Sequence, residues 1–268
     1  MELKDKIEQI KEAMKAKQGL VIAFSGGVDS SVVAALAFQA LGEKALAVTA
    51  DSETLPPFEL ENAIEVARKI GIAHRIVKYS ELDSEEFRRN PFDRCYYCKK
   101  SLLKVLSKVA REEGLKVIAD GTNADDYLGH RPGLKALREF NVYSPLAEFK
   151  VSKAEVRAIA RELNLPNADK PSMACIASRF PYGLEITREK LDRVKQAERF
   201  LLKMGFKQVR VRDHDGIARI EVPVEENRNI LENSINIAKE LRKLGYSYIT
   251  LDLEGYRSGS LDEVLNAK

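Results

Sequence analysis

The sequence has no tryptophan, only three cysteines and no long apolar run. So few cysteines, in odd number, cannot form a disulfide scaffold, and the thiols are expected to be free, metal-binding or catalytic in a reducing compartment. No apolar stretch approaches the roughly 20 residues that span a bilayer. The opening stretch MELKDKIEQIKEAMKAKQG reads as a charged amphipathic helix without a secretory apolar core, so a cytoplasmic protein with no membrane partner is expected. Neither charge sign dominates: 44 Lys plus Arg stand against 41 Asp plus Glu, a net charge of +3, and nucleic acid is a disfavoured partner. What is present is a globular composition, 44% hydrophobic and 32% charged over 268 residues, enough for one or two domains. The abundance of Lys and Glu points toward a thermophile.

Four short apolar runs read as strands buried on both faces of a parallel sheet: residues 19–24 (GLVIAF), 44–50 (KALAVTA), 74–79 (HRIVKY) and 115–119 (LKVIA). Helical stretches such as 57–70 and 96–113 separate them, which predicts an α/β fold with a doubly wound, mainly parallel sheet. Its ligand is expected outside the carboxyl ends of the strands, where the loops of Ser25, Asp51 and Asp120 fall. The pattern changes after about Gly183. A helix from Thr187, two runs around a His214-Asp215-Gly216 turn, a second long helix and a final run at 247–253 predict a smaller C-terminal α+β domain. The expected division is 1–184 and 185–268.

Ser25-Gly26-Gly27-Val28-Asp29-Ser30-Ser31 follows the first run and opens a helix. Two glycines permit a tight turn and close approach to a phosphate, while the helix start supplies unpaired N–H groups and the serines add hydroxyls. Asp29 would oppose an anion unless Mg²⁺ bridged the two. A helix cap after a glycine turn is the alternative. The complete string resembles the SGGxDS signature of the PP-loop ATP pyrophosphatases, with their adenine nucleotide alpha hydrolase-like fold, which implies cleavage of ATP between its α and β phosphates. The absence of G-x-x-x-x-G-K-S/T disfavours a Walker-type kinase. Asp51, Gly121, Thr122, Asn123, Asp125 and Asp126 sit at neighbouring strand ends as candidate ATP or Mg²⁺ contacts, or as plain strand-terminal turns.

The cysteines fall in RCYYCK (Cys95, Cys98) and in KPSMACIASR (Cys175). C-x-x-C spacing can place two sulfurs on one metal or redox centre, and three thiolates on a 4Fe-4S cluster would leave one iron open. A redox pair with Cys175 as a small buried hydrophobe, or a zinc site, are the alternatives.

With these motifs together, and with DGTNADD, HRPG, SPLAE, DKPSMACIASRFPYG, VRVRDHDGIARIEVP and LDLEGYRSGS, the chain resembles the LarE family along essentially its whole length. These are pyridinium-3,5-biscarboxylic acid mononucleotide sulfurtransferases of nickel-pincer cofactor synthesis. The resemblance implies that MgATP adenylylates a substrate carboxylate, PPi leaves, and a sulfur nucleophile displaces AMP to give a thiocarboxylate. It implies ATP and Mg²⁺ at Ser25, Gly26, Gly27, Val28, Asp29, Ser30, Ser31, Asp51, Gly121 and Thr122, with Cys175 and Asp29 catalytic. In single-cysteine members the residue matching Cys175 gives up its own sulfur. The presence of Cys95 and Cys98 is similar to three-cysteine members, where the thiolates hold a 4Fe-4S cluster as sulfide carrier. Arg210 and Arg212, two apart on a strand, face one side and suit a nucleotide phosphate, the role the resemblance implies, where alternation of Val and Arg alone reads more simply as a strand with one solvated face. Ser178, Arg179, Glu198, Glu221 and Tyr97 are further substrate candidates by the same resemblance, Tyr97 through stacking on the pyridinium ring.

The expected partners are a small-molecule nucleotide, a sulfide or sulfur-carrier donor, and further copies of the chain through the C-terminal domain. A tRNA thiouridine synthase is the leading alternative, disfavoured by the balanced charge and by the lack of cysteines for a zinc ribbon. A GMP- or NAD-synthetase-like amidotransferase and a non-catalytic sensor are weaker ones.

Overall fold

The computed structural model describes residues 3–127, 131–171, 173–257 and 259–261; His130, Ser172 and Ser258 of the motifs above lie outside them. In chain order the elements are α1 (Leu3–Ala16), β1 (Leu20–Ala23), α2 (Val28–Leu41), β2 (Ala45–Asp51), α3 (Glu59–Ile70), β3 (Ala73–Lys78), α4 (Glu85–Arg88), α5 (Arg94–Glu112) and β4 (Val117–Ala119). They continue with α6 (Gly133–Glu139), α7 (Pro145–Glu148), α8 (Lys153–Glu162), α9 (Arg188–Lys203), β5 (Arg210–Asp213), β6 (Ile217–Glu221), α10 (Asn227–Glu232), α11 (Ser234–Lys243) and β7 (Tyr248–Leu251). Among the described residues no helix is long and apolar enough to cross a membrane.

Two compact units form. The first comprises Met1–Ser52, Phe58–Glu81 and Asp93–Met173; the second comprises Glu53–Pro57, Leu82–Phe92 and Ala174–Lys268. In the first, four parallel strands take the order β3-β2-β1-β4. Side chains of β1 alternate between its faces: Leu20 and Ile22 join a core with α1, α2, α3 and α8, while Val21 joins one with α5 and α6. Helices therefore cover both faces, which is the α/β layering expected of apolar runs on successive strands. One expectation fails. The run at 74–79 is not buried on both faces, because β3 is the sheet edge and leaves Ile76 42% exposed. Its hydrophobicity is that of a half-covered strand.

His74 on β3 takes part in a small, partly buried relay. The Thr49 hydroxyl donates to the Phe24 carbonyl at 2.9 Å, so its oxygen receives the His74 Nε2–H at 2.8 Å. Burial lowers the pKa of His74, and burial followed by the charge of Arg219 lowers that of His214. Both side chains are thus neutral in the fold at pH values where the unfolded chain already binds protons, below its ordinary value near 6.5. Stability is predicted to fall as pH drops from that value toward the lower folded values. Thermal melts at about pH 7.5 and about pH 5.5 should show a lower midpoint at acid pH, and His74→Gln should shrink the difference. An unchanged or higher acid midpoint would contradict this.

In the second unit, β5 and β6 form an antiparallel hairpin and β7 adds parallel to β6. Asp215 and Gly216 both take positive φ, 55° and 95°, as a tight two-residue turn requires, and His214 N–H closes it onto the Ile217 carbonyl at 2.9 Å. Val211, Ala218 and Ile220 pack against α9 and α11 around Leu201 and Leu241. The expected second long helix is two helices. Asn233 breaks it, donating from Nδ2 to the Asn229 carbonyl at 2.8 Å and so competing with the helical ladder.

Candidate functional site

The parallel order places the loops after β1, β2 and β4 at one sheet edge, and β1 lies between β2 and β4, where chain progression reverses. Such a reversal opens a crevice. The phosphate loop occupies it. Gly26 has φ +71°, and a Cβ there would stand 2.7 Å from the Ala63 Cα of α3. Gly27 precedes α2 with extended backbone and no side-chain cap, leaving the first N–H groups of a 14-residue helix directed at the loop mouth. Ser30 Oγ lies 3.2 Å from both the Ser25 N–H and Ser25 Oγ, and Ser31 donates to the Gly27 carbonyl at 2.8 Å. Asn167 ties the loop from outside, donating to the Gly26 carbonyl at 2.7 Å and to Ser31 Oγ at 2.8 Å.

Gly26→Ala combines about 1–2 kcal/mol of left-handed strain with a backbone clash. The expected result is a loop displaced from α3, with phosphate affinity lowered more than about tenfold. Isothermal titration with ATP checks this, and retained affinity would sink the close-approach argument.

The carboxylate of Asp29, in the first turn of α2, receives Asn123 Nδ2 at 3.0 Å on one oxygen and the Lys153 ammonium on the other. Gly121 passes so close to α2 that a Cβ would fall 2.7 Å from the Ser30 nitrogen. Thr122 directs both its N–H and its hydroxyl onto buried Asp120, at 3.2 and 2.7 Å, and Ser144 donates to the same carboxylate at 2.7 Å. Asp51 closes β2 and accepts the Tyr79 N–H on its carbonyl at 3.3 Å. Ser25 through Ser31, Gly121 and Thr122 thus form one neighbourhood with Asn123, and Asp51 lies at the same edge. Sequence reasoning missed Lys153, Asn167 and Ser144.

Cys95 and Cys98 are the second and fifth residues of α5 in the same unit, Cys95 exposed and Cys98 half-buried. Cys98 Sγ is 3.9 Å from the Tyr79 hydroxyl, whose pKa is pushed up by burial and then by Cys98 and Glu81, so it holds its proton. Tyr97 packs edge-on against Tyr96 at 5.1 Å. Cys175 belongs to the second unit, half-buried and outside any disulfide. Among the described residues, no group of three or more His, Cys, Asp or Glu side chains is gathered as a metal site.

The second unit carries a buried charge network. Arg179, fully buried, pairs through Nε and Nη2 with both oxygens of Glu198 at 2.8 and 3.0 Å. Its Nη1 donates to the Ala174 and Cys175 carbonyls at 2.8 and 3.0 Å and to Ser178 Oγ at 2.9 Å. Arg212 forms a bidentate pair with Glu221 at 2.8 and 2.9 Å and donates to the Ser178 carbonyl at 2.7 Å. Arg210 lies over the Tyr256 ring, its pKa lowered by burial and then by Arg179. All six substrate candidates of this unit, Ser178, Arg179, Glu198, Arg210, Arg212 and Glu221, therefore meet beside the Cys175 segment. Alternation on β5 located the two strand arginines, but nothing local showed that Arg179 and Arg212 are neutralised by carboxylates.

The asparagine synthase family profile matches residues 3–215. An uncharacterized protein of Synechocystis is 44% identical over 98% of this chain and 99% of its own length. The pyridinium-3,5-bisthiocarboxylic acid mononucleotide synthase of Lactiplantibacillus plantarum is 37% identical over 94% of this chain and 92% of its own. An uncharacterized protein of Methanocaldococcus jannaschii is 33% identical over 93% and 94%. With a parallel sheet, a glycine phosphate loop at its reversal point and similarity of this length, the chain belongs to the LarE family of the PP-loop ATP pyrophosphatases.

Proposed function

We propose that the protein is an ATP-dependent sulfurtransferase acting on pyridinium-3,5-biscarboxylic acid mononucleotide. A substrate carboxylate oxygen attacks the α phosphate of ATP, PPi leaves, and sulfur then displaces AMP to give a thiocarboxylate for the nickel-pincer cofactor. The observation that carries this reading is the near full-length similarity to the Lactiplantibacillus synthase.

In this reading Ser25, Gly26, Gly27, Val28, Ser30 and Ser31 hold the leaving pyrophosphate by backbone N–H groups and hydroxyls. Asp29 is a hard oxygen ligand suited to Mg²⁺, in the turn where phosphate oxygens would arrive. Asp51, Gly121 and Thr122 border the nucleotide. Arg210 and Arg212 supply positive charge for the substrate phosphate, Glu221 fixes the Arg212 guanidinium and Glu198 that of Arg179, and Ser178 and Tyr97 are further substrate contacts. Residues 185–268 serve substrate binding and self-association, the protein works in the cytoplasm, and sulfide or a sulfur carrier is its donor.

For the carrier, Cys95, Cys98 and Cys175 would hold a 4Fe-4S cluster; all three are outside disulfides and are the thiol donors such clusters take. When bound, that cluster supplies an iron position open to hydrosulfide. A second reading is sacrifice of the Cys175 sulfur, with Arg179 fixing the backbone of the cysteine through the Ala174 and Cys175 carbonyls. Incubation with substrate, MgATP and sulfide without oxygen should yield AMP and PPi in equal amounts together with thiocarboxylate; ADP and phosphate, or thiolation of tRNA alone, would overturn the proposal. About four irons per chain, lost on replacing any of the three cysteines, would favour the cluster. Dehydroalanine at position 175 after one turnover would favour sacrifice.

A further inference from the structure

Lys153 stands in an unexpected place for a residue with no assigned part in the chemistry. Its backbone is fixed. It opens α8 behind Ser152, whose hydroxyl and N–H form a capping box with Glu155; its own N–H is held by Asp125 Oδ2 at 2.9 Å; and Lys6 anchors Glu155 at 2.7 Å. Its side chain, by contrast, reaches across the chain to the Asp29 carboxylate, where the two groups are 33% and 25% exposed. A partly solvated pair of this kind is weak and exchanges readily. Asn123 meanwhile holds the other Asp29 oxygen, so the carboxylate keeps its place if the ammonium leaves.

An unneutralised carboxylate beside the helix start would repel a polyphosphate, and an ammonium there cancels it. Mg²⁺ arriving with ATP would compete for the same carboxylate oxygen. We infer that Lys153 is a phosphate-binding residue held in reserve on Asp29. When MgATP enters, Asp29 turns to the cation and the Lys153 ammonium moves to a non-bridging oxygen of the β or γ phosphate, holding the pyrophosphate as it departs. This rests on the nucleotide reading of the loop proposed above. The ligand class is a magnesium-bound polyphosphate, and AMP, which lacks the β and γ phosphates, is outside the reach of the effect.

The test is equilibrium binding of MgATP, magnesium pyrophosphate and AMP to the full chain and to Lys153→Ala, Lys153→Arg and Asp29→Asn. Lys153→Ala should weaken MgATP and magnesium pyrophosphate at least about tenfold while AMP changes less than about twofold, and Lys153→Arg should restore most of the loss. Asp29→Asn, which releases the ammonium, should tighten pyrophosphate measured in chelator while abolishing the gain that Mg²⁺ gives the unsubstituted chain. Affinities of Lys153→Ala unchanged from the unsubstituted chain for all three ligands, or a loss that includes AMP equally, would overturn the inference and leave the nucleotide reading intact. Failure of the unsubstituted chain to bind MgATP would overturn both.

Discussion

Cys175→Ser should abolish thiocarboxylate formation while leaving MgATP affinity within about twofold of the unsubstituted chain. Both sulfur routes pass through this thiol, as consumed donor or as one of three thiolates, and serine offers an oxygen that does neither. The substitution is nearly isosteric and the side chain is only half-buried, so little destabilisation accompanies it. The phosphate loop belongs to a different compact unit, whose sheet and helices do not need the residue. Liquid chromatography with mass detection of the thiocarboxylate, alongside calorimetric titration with MgATP, separates the two functions. Transfer retained in Cys175→Ser would remove the cysteine from the chemistry.

The second large effect is on stability. Arg179→Ala strands the Glu198 carboxylate, which is 1% exposed and, among the described residues, would keep the Val211 N–H at 3.0 Å as its one hydrogen-bond donor. Removing one partner of a buried, hydrogen-bonded ion pair costs about 3–5 kcal/mol, because the remaining charge stays desolvated. For a protein of this size that corresponds to a fall of roughly 6–20 °C in melting midpoint. The same change frees the carbonyls of Ala174 and Cys175, so sulfur transfer should fall even at temperatures where the chain is folded. Replacing both partners, Arg179→Met with Glu198→Leu, should recover part of the stability, since two apolar groups leave no orphaned charge, yet should leave transfer impaired. A melting midpoint in Arg179→Ala within a degree or two of the unsubstituted chain would show that the network is not the support claimed for it.

The parts of the fold carried by local pattern were legible in the sequence. The apolar runs became β1 to β4, and the phosphate loop stood where a strand–glycine–helix succession puts it. The Asp-Gly turn formed with the two positive φ angles its residues favour. Contacts between distant segments were not legible. Lys153 meets Asp29 across 124 residues and Asn167 meets Gly26 across 141; a lysine in a polar stretch or an asparagine after a proline looks like an ordinary surface residue until the chain folds. The same holds for Glu53–Pro57 and Leu82–Phe92, short segments of the first half of the chain that pack with the second unit. In that unit the Asn90 side chain, fully buried, donates to the Pro181 and Leu184 carbonyls at 2.7 and 3.1 Å. Burial of charge was equally hidden. Arg179 and Glu198 entered as substrate candidates by resemblance alone, and only tertiary packing makes them a desolvated pair.

In the proposed reaction the phosphate loop activates a carboxylate by adenylylation. The most direct measurement uses pyridinium-3,5-biscarboxylic acid mononucleotide whose carboxylates carry heavy oxygen, turned over with MgATP and sulfide, followed by mass spectrometry of the AMP. Attack of a carboxylate oxygen on the α phosphate predicts one heavy oxygen in each AMP released. AMP free of label, with thiocarboxylate still formed, would show that the carboxylate is activated by some other route.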